Sequence, residues 1–90
     1  MKTRFRAGDI VKDNTGKLAQ IAAVSPNGEY LTIVGWFGDY AESFRFKPHI
    51  AASDEDHERA AMRTIKDHPG SVRASWATEE LRKLRVKAKP

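Results

Sequence analysis

Between residues 7 and 37 the sequence alternates apolar and polar residues, and the alternation breaks twice, at Asn14-Thr15-Gly16 and at Pro26-Asn27-Gly28. A side-chain period of two belongs to extended chain; on a helix it would scatter the apolar residues around the axis. Both interruptions carry turn chemistry, because Asn folds back on its own backbone, Pro presets φ and Gly accepts a positive φ. The pattern therefore predicts strands over 9–13, 17–25 and 29–37. Gly38-Asp39 suits a two-residue hairpin, after which residues 40–47 read as a fourth strand that Pro48 ends. Phe44 and Phe46 are expected to face inward together, with Ser43, Arg45 and Lys47 opposite. In the third strand Leu31, Ile33 and Phe37 share one face and Tyr30, Val34 and Trp36 the other. A strand apolar on both faces is expected in the middle of a small rolled sheet.

The character changes after Ile50. Ser53 precedes Asp54-Glu55-Asp56, a helix cap followed by first-turn acids that suit the positive end of the helix dipole. A helix is predicted within 53–68, with Ala61, Met62, Ile65 and His68 on one face and Pro69-Gly70 as its stop. Residues 71–76 fit two patterns. Val72, Ala74 and Trp76 alternate like a closing fifth strand, while Trp76, Ala77, Leu81 and Leu84 fit a helix. The reading favoured is a strand over 71–76, then a short helix over 78–86 and a basic tail over 87–90.

Ninety residues suit one domain with a small core. With no cysteine, disulfides, thiolate metal sites and cysteine nucleophiles are excluded, and a cytoplasmic setting is expected. The basic start has no apolar run behind it, so no secretory signal is expected. No stretch approaches the ~20 apolar residues of a membrane span. The net charge of +4 is unevenly spread. Residues 53–70 carry three Lys/Arg against five Asp/Glu, whereas residues 71–90 carry six against two. An excess of that kind suits an anionic partner, and also simple solubility.

The run Phe5-Arg6-Ala7-Gly8-Asp9-Ile10-Val11, then Gly16, then residues 21–24, resembles the opening of SH3-like small barrels, KOW and Tudor-type modules among them. The resemblance covers about residues 5–50. It implies a mainly β fold with added helix: a barrel of four or five strands followed by a C-terminal helical segment. Ile33-Val34-Gly35-Trp36 and His68-Pro69-Gly70-Ser71-Val72 also resemble fragments of the type II dihydrofolate reductases, themselves SH3-like barrels. In that family a Gln-Ile-Tyr run follows the valine. Here Arg73-Ala74-Ser75 stands in its place, so the likeness extends to the barrel and not to the activity.

Catalytic constellations are missing. Leu18 follows Gly16-Lys17 where a phosphate loop needs a hydroxyl, and there is no dinucleotide fingerprint or nucleophile elbow. His57 and His68 would be about 16 Å apart along one helix, too far for one metal ion. The expectation is a non-enzymatic protein without cofactor or metal. The aromatics Trp36, Phe37, Tyr40, Phe44 and Phe46 are core in one reading. In the other, Trp36 and Tyr40 face outward as a stacking surface beside Arg45 and Lys47. Arg73, expected to point outward from the closing strand, and Arg82, Lys83 and Arg85 complete the candidate set. The leading expectation is a DNA- or RNA-binding module; the alternative is a protein-interaction module such as a phage- or plasmid-type accessory or inhibitor.

Overall fold

A computed structural model describes residues 5–36 and 40–88. The placing of Phe37 on one face with Leu31 and Ile33, the Gly38-Asp39 turn and the last two residues of the basic tail lie outside that range. The elements run β1 (Ile10–Lys12), β2 (Leu18–Val24), β3 (Tyr30–Ile33), β4 (Ala41–Glu42), a 3-10 turn (Ser43–Arg45), β5 (Lys47–Ile50), α1 (Asp54–Asp67) and α2 (Val72–Ala88). The strands form a five-stranded antiparallel sheet in the order β4-β3-β2-β1-β5. Strands β4 and β5, neighbours in the chain, are thus the two opposite edges, and the sheet is open. The fold is a small mixed α/β one.

The turns form for the reasons their residues suggest. The Asp13 carboxylate accepts from Thr15 N, Thr15 Oγ1 and Lys17 N at 2.9, 2.6 and 3.0 Å. Those bonds, the Thr15 hydroxyl first, hold its pKa below the usual range. At the second turn Asn27 Oδ1 accepts from Glu29 N, and Ser25 Oγ accepts from Tyr30 N. The third strand is shorter than expected. It stops at Ile33, because Gly35 adopts φ +95° and Trp36 N turns back to the Ile33 carbonyl.

The expected fourth strand is also broken. The 3-10 turn separates β4 from β5, and it splits the phenylalanine pair, leaving Phe46 9% exposed and Phe44 76% exposed. Pro48 lies within β5 instead of ending a strand. Because β5 pairs with β1 alone, a residue without an N–H is tolerated there.

Two apolar clusters flank β2. On one side Val11, Ile21, Val24, Leu31, Ile33 and Phe46 pack with Phe5, Ala19 and Ala41. No α-helix contributes to that cluster, which is made by strand residues with Phe5 and Phe46. On the other side Ala7 and Ala23 meet Ala61, Ala77 and Leu81, with Ala60, Ile65 and Trp76 around them. Alanines on both partners let the helices approach the sheet closely. Strand β2 is covered on both faces, its last four residues all buried, and β3 is covered on both faces from Leu31 to Ile33.

Helix α1 begins at its Ser53 cap, where Oγ accepts from Asp56 N at 3.1 Å. Its inward residues are His57, Ala61 and Thr64, so the buried face is turned from the one expected and Met62 is left outside. His57 Nδ1 donates to the Ala7 carbonyl at 2.8 Å, and Thr64 Oγ1 donates to the Ala22 carbonyl at 2.7 Å.

The predicted strand over 71–76 is the first turn and a half of α2. Ser71 acts as its cap, accepting from Ala74 N. Buried Arg73, Ala74, Ala77 and Leu81 follow a helical spacing, while Val72, which a closing strand would turn inward, is 60% exposed. The short helix expected over 78–86 is the continuation of the same element.

Glu80 fastens α2 to the sheet. Its two carboxylate oxygens accept from Ala7 N at 2.9 Å and Val24 N at 3.1 Å. Burial raises its pKa to about 7, against the pull of those two N–H groups. The folded protein therefore holds this proton more tightly than the unfolded chain. As pH rises from 4.5 to about 7, the unfolded chain loses its proton first, and stability falls. Denaturant titrations across that window should show the wild type losing stability relative to Glu80→Gln, with a constant difference above it.

Gly8 has φ +95°, and a Cβ there would stand 3.2 Å from the Ala52 Cβ and from the Asp56 carbonyl oxygen. Gly8→Ala should cost about 2 kcal/mol or more, read as a lowered melting temperature, because neither backbone nor neighbours can give way freely.

Candidate functional site

The nominated residues fall into three separate places. The first is the junction between β3, the Trp36–Tyr40 connection and α2. Here Arg73 is 7% exposed, and its guanidinium donates to the Trp36 carbonyl at 2.6 Å. The expectation that Arg73 points outward is overturned, because the helix turns this position toward the sheet. Trp36 and Tyr40 do reach solvent. Tyr40 stands edge-on between Tyr30 at 5.8 Å and Trp76 at 5.5 Å, which fixes its ring from both sides.

The second place is the β5 edge. Arg45 pairs with Glu42 at 3.0 Å and lies 5.6 Å from the centre of the exposed Phe44 ring. Two residues on, Lys47 is directly opposite Lys12 of β1, and Lys12 is in turn opposite Leu18 of β2. Directly opposed residues of antiparallel strands project from the same face. Ile10, opposite both Gln20 and Ile50, forms the next row. Lys12, Leu18, Gln20, Lys47 and Ile50 are all exposed, so this face of the sheet is basic and apolar together. Like charges directly across a pair of strands repel. Among the described residues neither lysine forms an ion pair.

The third place is the outer side of the helices. Arg82 is paired with Glu79, and Arg82 and Arg85 border a cleft between α1 and α2; Lys83 is exposed nearby on α2. The Arg82 guanidinium is the main reason the Glu79 carboxyl stays below its usual range.

Among the described residues no three His, Cys, Asp or Glu side chains stand together as a metal-binding group. No described helix is long and apolar enough to cross a membrane. The buried carboxylate Asp9 and the half-buried Glu80 are engaged by backbone N–H groups, from Arg6 and Ala52 in the one case and from Ala7 and Val24 in the other. What the surface offers is cation, exposed aromatic ring and apolar side chain, the equipment of non-covalent recognition.

Lys12 was absent from the residues that the sequence nominated. Its importance lies in its register opposite Lys47, and that register requires residues 47–50 to form their own strand beside β1. Lys12→Ala should leave stability unchanged or raise it by about 0.2–1 kcal/mol, since it relieves a like-charge pair. Arg73→Ala should instead lower stability by about 1–3 kcal/mol in a urea titration, because it removes a buried donor and leaves the Trp36 carbonyl unmatched. No protein-family model matches the chain, and comparison with the curated proteins and with the solved structures finds no match either.

Proposed function

We propose that this chain is a non-enzymatic binding module whose β5–β1–β2 face holds a nucleic acid, preferentially single-stranded. The observation that carries the reading is Lys12 set directly against Lys47, neither of them ion-paired among the described residues. A phosphate placed over the pair would relieve the repulsion and release counterions. Two and three residues before Lys47 in the chain, Arg45 and the exposed Phe44 ring lie together and give a base a surface on which to stack. Leu18 and Ile50 beside the lysines favour unstacked bases over a duplex, whose bases face inward.

The likeness to SH3-like barrels belongs to the same reading. It is supported by the antiparallel order β4-β3-β2-β1-β5, by the 3-10 turn before β5 and by a core drawn from the sheet and the segment before it.

Fluorescence anisotropy with labelled single-stranded and duplex oligonucleotides tests the proposal. Single strands should bind at low salt and weaken as salt rises, with a log–log slope of roughly 0.7 for each phosphate contact. Lys12→Ala and Lys47→Ala should each make that slope shallower by about one contact. Phe44→Ala should weaken binding by about 1–3 kcal/mol at every salt concentration without changing stability. No binding at low salt, or binding indifferent to all three substitutions, would exclude this face.

A further inference from the structure

The cleft between α1 and α2 has a volume of about 630 Å³ and is lined by Met62, Ile65, Lys66, Thr78, Leu81, Arg82, Arg85 and Val86. The lining follows helical periods on both walls: 62, 65 and 66 on α1, and 78, 81, 82, 85 and 86 on α2. Its middle is apolar, made by Met62, Ile65, Leu81 and Val86, and its rim is basic. Met62 is 51% exposed and Val86 64% exposed, though both stand on helices whose other faces are packed. Two adjacent helices with an apolar seam, and among the described residues no third element over it, form the kind of groove that receives a helix.

We infer that the α1–α2 cleft is a docking groove for an acidic amphipathic helix of a protein partner. Lys66, Arg82 and Arg85 supply the charge that such a helix would answer, and of these only Arg82 is paired among the described residues. A second copy of this chain fits poorly. Its exposed apolar residues Leu18 and Ile50 are flanked by Lys12 and Lys47, and Phe44 by Arg45, so it would bring cations to a cationic rim. Its acidic stretch, Asp54 to Asp56 with Glu58, carries no apolar residue to fill the seam. A nucleic acid would answer the rim and leave Met62, Ile65, Leu81 and Val86 without an apolar counterpart. The groove and the lysine face lie on different elements, so either can fail without the other.

The probe is a fluorescein-labelled, end-capped peptide of about five helical turns, with leucines at positions i, i+3, i+4 and i+7 and glutamates flanking them. It should bind with a micromolar dissociation constant, and Met62→Glu, Val86→Glu or Arg85→Glu should each weaken it by about tenfold. Because these residues are exposed, melting temperatures should stay within a few degrees of wild type, and oligonucleotide binding by Met62→Glu should be unchanged. Lys12→Ala should leave peptide affinity as it was. The inference is overturned if the peptide does not bind, or if a scrambled peptide of equal composition or one with lysine for glutamate binds equally well. It is also overturned if an oligonucleotide displaces the peptide from the cleft, or if sedimentation shows a dimer that Met62→Glu dissolves.

Discussion

A carboxylate on α2 sets that helix against the sheet, as Thr64 does for α1 through the Ala22 carbonyl. Glu80, in the middle of α2, receives the N–H of Ala7 and the N–H of Val24, two backbone groups from different segments. Around it the interface is nearly all alanine, with Ala7 and Ala23 meeting Ala61 and Ala77. Alanine surfaces permit close approach and resist sliding only weakly, and Leu81 is the one large side chain fully buried among them. The hydrogen-bonded carboxylate supplies the missing register. With Glu80 fixed, Arg73 two turns earlier reaches the Trp36 carbonyl, and Trp76 one turn earlier meets Tyr40. Arg82 and Arg85 are then carried to the border of the cleft. The cost is a half-buried acid whose pKa climbs to about 7, a tension between desolvation and two good donors.

The segment before β1 has a similar anchoring role. Asp9 accepts from Arg6 N and from Ala52 N, and Arg6 reaches the Ala52 carbonyl and Asp54. These contacts tie the start of the described chain to the approach of α1, and Gly8 lets the two pass within van der Waals distance. The His57–Ala7 bond closes the same corner. Polar groups buried there are paired one by one, as a small core requires.

What could be read from the residues alone was what local chemistry decides. The turns at Asp13–Gly16 and Ser25–Gly28, the alternation of β2 and the capped start of α1 all depend on neighbours within a few positions. The misread segments depend on distant ones. Val72, Ala74 and Trp76 satisfy both a period of two and part of a helix, and the contacts that select the helix, Glu80 to Ala7 and Val24, span most of the chain. Residues 40–47 look extended until the 3-10 turn breaks them, and that break is what brings residues 47–50 alongside β1. Within the candidate site, the exposure of Tyr40, Lys47 and Lys83 follows from sequence, whereas Lys12 becomes meaningful only with its partner strand. Arg73 shows the opposite error: an arginine is expected at the surface, and here it serves as a buried tie between two elements.

The two proposed surfaces differ in chemistry. The sheet face sets two lysines in a row beside exposed apolar residues, and the helical cleft combines an apolar seam with three basic side chains. The acidic start of α1 follows Ile50 after three intervening residues and would repel a polyanion, so the proposed nucleic acid should lie toward the Lys12–Lys47 end of the face. Amide chemical-shift mapping of the isotopically labelled protein with a short oligothymidine resolves that placement residue by residue. Shifts concentrated at Lys12, Leu18, the 44–47 stretch and Ile50, with α1 and α2 quiet, are the expected result. Shifts centred on Arg82 and Arg85 with the sheet unmoved would contradict it.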